Sequence, residues 1–269
     1  MGFLCSGIYA DLAAEFGEDV VVLVMALIVV TILIAVMTVA ALIARLRVLY
    51  LYWFANRHKS SGGYTGESAA RAALDKLGFT DVQVRKAGIL RTMVFGNYYN
   101  RFSKTIWLRR STMYGDNLTS VGLAIQKVGL VMQDKREEKT FRTRSILQMI
   151  GVFGPIVFIP LVIVGFIIDF ATGFSKIPTL AVLGLAIVFY ICSFVFTLLN
   201  IPVEKKANKE ALEFLQGSDM LNEDEQYEVA KVLRGYLIAY VIDFIINLLK
   251  LIQLILKIAL QIAVSKRSN

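Results

Sequence analysis

The stretch Gly122-Leu123-Ala124-Ile125-Gln126-Lys127-Val128-Gly129-Leu130 lies inside a helix that the sequence predicts over residues 118–144, with Asp116 or Asn117 as its cap. Residues four apart share a helix face, so Gln126 and Leu130 point the same way, with Lys127 beside them. At that spacing two imidazoles would grip one metal ion, and a carboxylate at position 127 would activate its bound water. Gln126, Lys127 and Leu130 supply none of these groups. The gap is informative only if the surrounding chain leads one to expect a site there.

The chain of 269 residues is 57% hydrophobic, with a mean hydropathy of +0.62. Apolar runs of about 18 or more residues mark membrane spans. Residues 20–44 form one without a single charge. This run is too long for the apolar region of a signal peptide, and Asp11, Glu15, Glu18 and Asp19 precede it where a signal peptide is basic, so it is expected to stay as an anchor. Residues 146–168 and 179–201 are two more spans, joined by the short loop 169–178.

Basic residues set the orientation. Arg45 and Arg47 follow the first span, with Arg57 and Lys59 soon after. Lys135, Arg136, Lys139, Arg142 and Arg144 precede the second, and Lys205, Lys206 and Lys209 follow the third, whereas the loop 169–178 carries only Lys176. By the positive-inside rule the tail 1–19 and that loop face outward, and the soluble segments 45–145 and 202–235 face the cytoplasm at a plasma (inner) membrane. The net charge of +8 then reads as attraction to an anionic inner leaflet. No groove-reading or base-stacking module is visible, so no nucleic-acid partner is expected. The last apolar stretch, 236–264, carries Asp243, Asn247, Lys250, Lys257 and Gln261 as a polar stripe, fitting an amphipathic interfacial helix or a fourth span packed on protein.

Cys5 and Cys192 are far apart and suggest neither a disulfide framework nor a thiolate metal site. The loose myristoylation pattern at Gly2 is read as chance, because the topology puts that end outside. Past the connector Ser60-Ser61-Gly62-Gly63, Thr65 caps a helix over 66–77 that Gly78 stops. Strands are expected at 82–84, 90–95 and 105–108, with turn residues at 97–103. After Pro202 the chain reads as helical over 204–215, and Asn222 caps a further helix whose first turn holds Glu223, Asp224 and Glu225.

Several blocks resemble the bacterial multi-pass membrane zinc metallopeptidases of the "zinc peptidase 2" type. They are Tyr64-Thr65-Gly66-Glu67-Ser68-Ala69-Ala70-Arg71, Leu77-Gly78-Phe79-Thr80-Asp81-Val82-Gln83-Val84, Lys104-Thr105-Ile106-Trp107-Leu108-Arg109, residues 121–133, Ile201-Pro202-Val203-Glu204-Lys205-Lys206-Ala207-Asn208, and Ala230-Lys231-Val232-Leu233-Arg234. They stand in the family's order, between spans placed as the family places them, and cover the chain from the first span to the last helix. The resemblance implies an α+β membrane protein, mostly helical, with three to four membrane helices and a small gluzincin-like helix–sheet–helix cytoplasmic domain. It further implies zinc as the family's cofactor and Glu204 as the third metal ligand. It also implies a candidate peptide-binding strand at Lys104, Thr105, Ile106, Trp107, Leu108 and Arg109, by backbone augmentation. The plainer reading of that strand is a sheet edge defended by its charges.

The departures from the family pattern fall where the chemistry would be. Gln126 and Leu130 stand at both His positions and Lys127 at the general base, and Asn97-Tyr98-Tyr99-Asn100-Arg101 stands at an acidic, His-bearing segment. One carboxylate does not hold zinc, whose catalytic sites typically use three protein ligands. The single histidine, His58, reads as part of an interfacial basic cluster with Arg57 and Lys59. Glu204 is either an exposed acid pairing with Lys205–Lys209 or a vestigial ligand whose buried charge needs a new cation, which Lys127 would supply with help from the Gln126 amide.

These readings describe a catalytically inactive homologue, a pseudopeptidase without catalytic residues or metal. It acts as a binding or scaffolding subunit in a membrane complex, with the lipid bilayer and a membrane-protein partner or active relative as its contacts. Two alternatives remain at this point: an active metallopeptidase whose non-standard metal site recruits His58, Asp116 or ligands from a partner chain, and a purely structural membrane subunit. The client and the oligomeric state are not legible.

Overall fold

A computed structural model describes residues 14–15, 17–172 and 177–268. Cys5 and most of the tail 1–19 lie outside the described residues, as do positions 173–176 of the loop 169–178. Eight helices of five residues or more and three strands follow in order among the described residues: α1 Glu18–Arg57, α2 Gly66–Lys76, β1 Gln83–Lys86, α3 Ile89–Phe95, β2 Tyr98–Asn100, β3 Thr105–Leu108, α4 Arg110–Tyr114, α5 Leu118–Lys135, α6 Lys139–Ala171, α7 Ile177–Gln216 and α8 Glu223–Ser268. The chain is thus a mostly helical α+β membrane protein.

Among the described residues, three stretches are long and apolar enough to cross a membrane: Glu18–Arg57, Ile187–Gln216 and Glu223–Val264. The span read at 146–168 lies within α6, and many of its central side chains are outside the described residues. Helices α7 and α8 each run unbroken where the sequence suggested separate pieces. Pro202 sits inside α7, where its missing N–H leaves the Leu198 carbonyl without an intrahelical donor.

The chain divides into two compact units, residues 45–240 and residues 1–44 with 241–269. In the second of these, Thr31 and Thr38 donate their hydroxyls to the carbonyls of Leu27 and Ile34 at 2.7 Å, and Gln253 Nε2 donates to Thr31 Oγ1 at 2.9 Å. Polar groups on a lipid-length helix are satisfied within the protein in this way.

The unit 45–240 carries the core. Thr65 caps α2 in a capping box with Ser68, and Gly78 follows the helix at φ +74°. Ala69, Ala70, Ala73 and Leu74 of α2 are fully buried against α5, of which residues 118–131 are buried without interruption. The sheet order is β1-β3-β2, with β1 parallel and β2 antiparallel to β3.

This sheet corrects three expectations. Residues 89–95 are helical rather than a strand. Their apolar residues are bracketed by Gly88, the extended N-cap, and Gly96, whose φ of +65° ends the helix. A seven-residue run is too short for periodicity to separate helix from strand. Residues 98–100, expected in a turn, form β2, and the turn shrinks to 101–104, where Asn100 Oδ1 accepts the N–H groups of Phe102 and Ser103. Finally, β3 is central. Thr105, Ile106 and Trp107 are paired on both sides and Leu108 with Lys86, so the candidate peptide-binding strand has no free edge along 105–107 to accept an added strand, nor is it a defended sheet edge.

A fourth correction concerns α5, which ends at Lys135 rather than running to 144. Arg136 closes it, Glu137 takes φ +58°, and Glu138 starts α6. The Glu138 N–H reaches back to the Gln133 carbonyl at 3.2 Å, so the stop has the left-handed form that usually asks for glycine. No glycine or proline marks it, and ion pairs hold it instead: Arg142 to Glu137 at 2.6 Å, Lys206 to Glu138 at 2.5 Å, and Arg136 to Glu210.

Helices α5 and α7 touch backbone to backbone at Gly129. A methyl added there would lie 2.6 Å from the Ala207 carbonyl oxygen, a contact that only separation of the helices relieves. Gly129→Ala is therefore expected to cost ~1–3 kcal/mol, the range for overpacking a filled core. A lowered midpoint of thermal unfolding in detergent checks this, and an unchanged midpoint contradicts it.

Candidate functional site

Helix α5 is set by its amino end. Asn117 Oδ1 accepts the Ser120 N–H at 2.8 Å, Leu118 N–H donates to the His58 carbonyl at 3.1 Å, and Ser60 N–H donates to the Asp116 carbonyl at 2.8 Å. Asn117 is therefore the cap. Asp116 instead pairs with Lys59 at 2.9 Å, and the His58 ring packs on Phe54 with Nδ1 3.0 Å from the Phe54 carbonyl oxygen. His58 lines a separate cavity with Asp224, Glu225 and Glu228.

Two turns into α5, Gln126 and Lys127 meet Glu204 of α7. Glu204 is 2% exposed, which removes the reading of an exposed acid; Lys206 pairs with Glu138 and Lys209 with Glu213 instead. Its Oε2 accepts from Gln126 Nε2 at 2.8 Å and lies 3.5 Å from Lys127 Nζ. Its Oε1 lies 3.3 Å from an Arg144 Nη2 that α6 delivers from the opposite side. The pairing of Lys127 with Glu204, assisted by Gln126, is thus present as the sequence suggested. Leu130 is buried in the apolar core beneath.

Three partners escaped the sequence reading. Arg144, in sequence one juxtamembrane charge among several, is buried, donating to Asn200 Oδ1 from Nε at 3.0 Å and Nη2 at 2.8 Å, with its guanidinium 5.5 Å from the Phe196 ring. Asn208 Oδ1 accepts from Gln126 Nε2 at 2.7 Å, and its Nδ2 donates to the Leu233 carbonyl at 3.0 Å, tying in α8. Asn200, Glu204 and Asn208 recur every four residues, a polar stripe on one helix face that was available as a signal. Nothing in the run around Arg144 distinguishes it from Arg142, which pairs with Glu137.

The cluster sets one carboxylate against two cations. Burial lowers the Lys127 pKa below its usual 10.5; Glu204 opposes that shift and Arg144 adds to it. Above the cluster opens a cleft of about 150 Å³, lined among others by Tyr52, Asn97, Arg109, Gln126, Lys127 and Tyr236. Asn97 fixes its floor by accepting the Arg109 N–H at 2.7 Å and donating to Thr112 Oγ1 at 3.0 Å. The arrangement can hold a ligand in the cleft by hydrogen bonds and charge, and it presents no imidazole or free carboxylate to a reacting atom.

Residues 28–259 match the model of a family described as "Putative neutral zinc metallopeptidase". The "Putative membrane protease YugP" of Bacillus subtilis (strain 168) is 24% identical over 202 residues, which is 74% of this chain and 82% of that relative. No solved structure matches the chain. The chain belongs to the neutral zinc metallopeptidase family.

The zinc that this family implies does not fit the residues present. The groups that meet at Glu204 are one amide, an ammonium and a guanidinium, and among the described residues no three His, Cys, Asp or Glu side chains group as metal ligands. Two cations within 3.5 Å of the sole carboxylate oppose a divalent ion on electrostatic grounds alone.

Glu204→Gln strands Lys127 and Arg144 as buried cations and is expected to cost ~3–5 kcal/mol. Lys127→Met leaves Glu204 with Arg144 and Gln126, so its cost is expected to be well below that, and it recovers part of the loss in the double variant. Equal losses from the two single variants, read by thermal unfolding in detergent, would contradict the pairing scheme. The pH dependence has a defined sign. The folded chain releases the Lys127 proton below 10.5 while the unfolded chain still holds it, so this group makes stability rise with pH towards 10.5. Lys127→Met is expected to flatten that alkaline slope.

Proposed function

We propose that this metallopeptidase-family chain neither binds zinc nor cleaves peptides, and that it serves as a binding or scaffolding subunit of a membrane complex. The observation that carries this reading is the Glu204 carboxylate, which the family resemblance assigns to the metal and which is here taken up by Lys127, Arg144 and Gln126. Freeing it for a metal means leaving two buried cations uncompensated. The cleft above it persists with a polar, cationic lining, which supports retained recognition without chemistry.

The partner on this reading is another membrane protein, met at the cytoplasmic face of a plasma (inner) membrane with the amino terminus outside. Support comes from the basic residues that flank the spans: Arg45 and Arg47 on one, Lys205, Lys206 and Lys209 on another. Glu204 fills the vestigial-ligand role, and no residue of this chain is assigned a catalytic one.

Metal analysis of the purified full chain tests the first half, with zinc well below stoichiometric as the expected result. Stoichiometric zinc removable by a chelator overturns it. Photo-crosslinking from position 52, at the cleft, tests the second half in native membranes. A discrete adduct with another membrane protein is expected, whereas the absence of any adduct leaves only a structural role.

A further inference from the structure

Residues 82–115 hold seven Lys or Arg and no Asp or Glu. Arg101 is paired with Asp134 and Lys104 with Asp81, while Arg85, Lys86 and Arg91 are exposed. Inside this basic segment sits α3, a helix with no buried residue at all. Ile89 is 81% exposed, Leu90 80% and Met93 77%, and Phe102 of the neighbouring turn is 74% exposed. Four large apolar side chains this open to water form a patch that a soluble surface seldom shows.

The position of the patch indicates what covers it. Phe95 and Phe102 line a cavity of about 200 Å³ together with Ser145, Gln148 and Met149 of α6. Ile146 and Met149 are each 60% exposed and open the apolar run 146–168. The patch is therefore continuous with the place where α6 turns apolar, and basic side chains rim it. Apolar insertion together with cationic attraction is the pair of signals that holds a segment on an anionic lipid leaflet.

We propose that α3 and Phe102 form a lipid-interfacial anchor, in which Ile89, Leu90, Met93 and Phe102 insert into an anionic leaflet and Arg85 and Lys86 meet its phosphates. The expected insertion depth is about 5–10 Å, at the boundary of headgroups and acyl chains. Arg91 lies over the Trp107 ring, its guanidinium 4.2 Å from the centroid, which fixes the helix to the sheet rather than leaving it a loose flap. The same helix supplies Phe95 to the cleft above Gln126 and Lys127, so the leaflet supports one wall of that cleft. The anchor rests on the membrane character of the chain and not on the loss of zinc chemistry, so either stands if the other fails.

The test uses the full chain with Cys5 and Cys192 replaced, carrying one cysteine at Leu90 or Met93, or at exposed Asp75 of α2 as a control. An environment-sensitive fluorophore is attached there, and the protein is reconstituted into phosphatidylglycerol-containing vesicles. Labels at 90 and 93 are expected to shift to the blue and to be quenched by a lipid spin-labelled near its headgroup, while the label at 75 stays water-like. Arg85→Glu with Lys86→Glu is expected to reverse both effects. Water-like emission at 90 and 93 overturns the proposal. So does shielding without lipid quenching that disappears at one chain per vesicle, because that identifies a protein contact instead.

Discussion

Everything around the candidate site depends on how one buried negative charge is neutralised. Glu204 has almost no access to water, so its charge is tolerable only with donors on both oxygens. Gln126 and Lys127 take one oxygen and Arg144 the other. These residues come from α5, α6 and α7, and Asn208 extends the network to the backbone of α8. A change in the relative position of any of these helices leaves a charge or an amide unpaired. Attraction to two cations offsets desolvation of the carboxylate, and burial, with Arg144 adding to it, lowers the Lys127 pKa against the pull of Glu204.

The break at 136–138 makes this cluster geometrically attainable. A straight helix over 118–144 would place Lys127 and Arg144 17 positions apart along a single rod, about 25 Å at the rise of an α-helix. With the left-handed turn at Glu137, α6 starts in a new direction and Arg144 approaches Glu204 from the side opposite Lys127. The ion pairs at Glu137, Glu138 and Glu210 therefore position the site without touching it. They also offset the backbone cost of a non-glycine residue at φ +58°.

Most of the architecture was legible because it rests on local or strongly periodic signals. The Thr65 and Asn117 caps, the long apolar runs and the α5 helix follow from short-range rules, and the Lys127–Glu204 pair follows from charge neutrality once a fold is assumed. What was not legible depends on tertiary context. Residues 89–95 carry strand-like composition, yet they lie between two glycines that permit a short helix, and lipid-type exposure replaces the burial that periodicity detects. The central place of β3 is a property of strand order, which a single strand's sequence does not encode. Arg144 and Arg142 are equivalent as text, and only the turn at Glu137 sends one inward and leaves the other half-exposed.

The same cluster bears on why charge is buried between these helices. Apolar contact between helix faces is non-directional and does not by itself define one register. Gly129 lets α5 and α7 approach closely at the Ala207 backbone. A carboxylate that must meet three donors from two helices defines a single register. Replacing the cluster with apolar residues of similar volume would leave stability similar or greater. It would remove the group that selects one alignment of α5, α6 and α7. These charges maintain the shape of the cleft above them, and the proposed binding role depends on that shape.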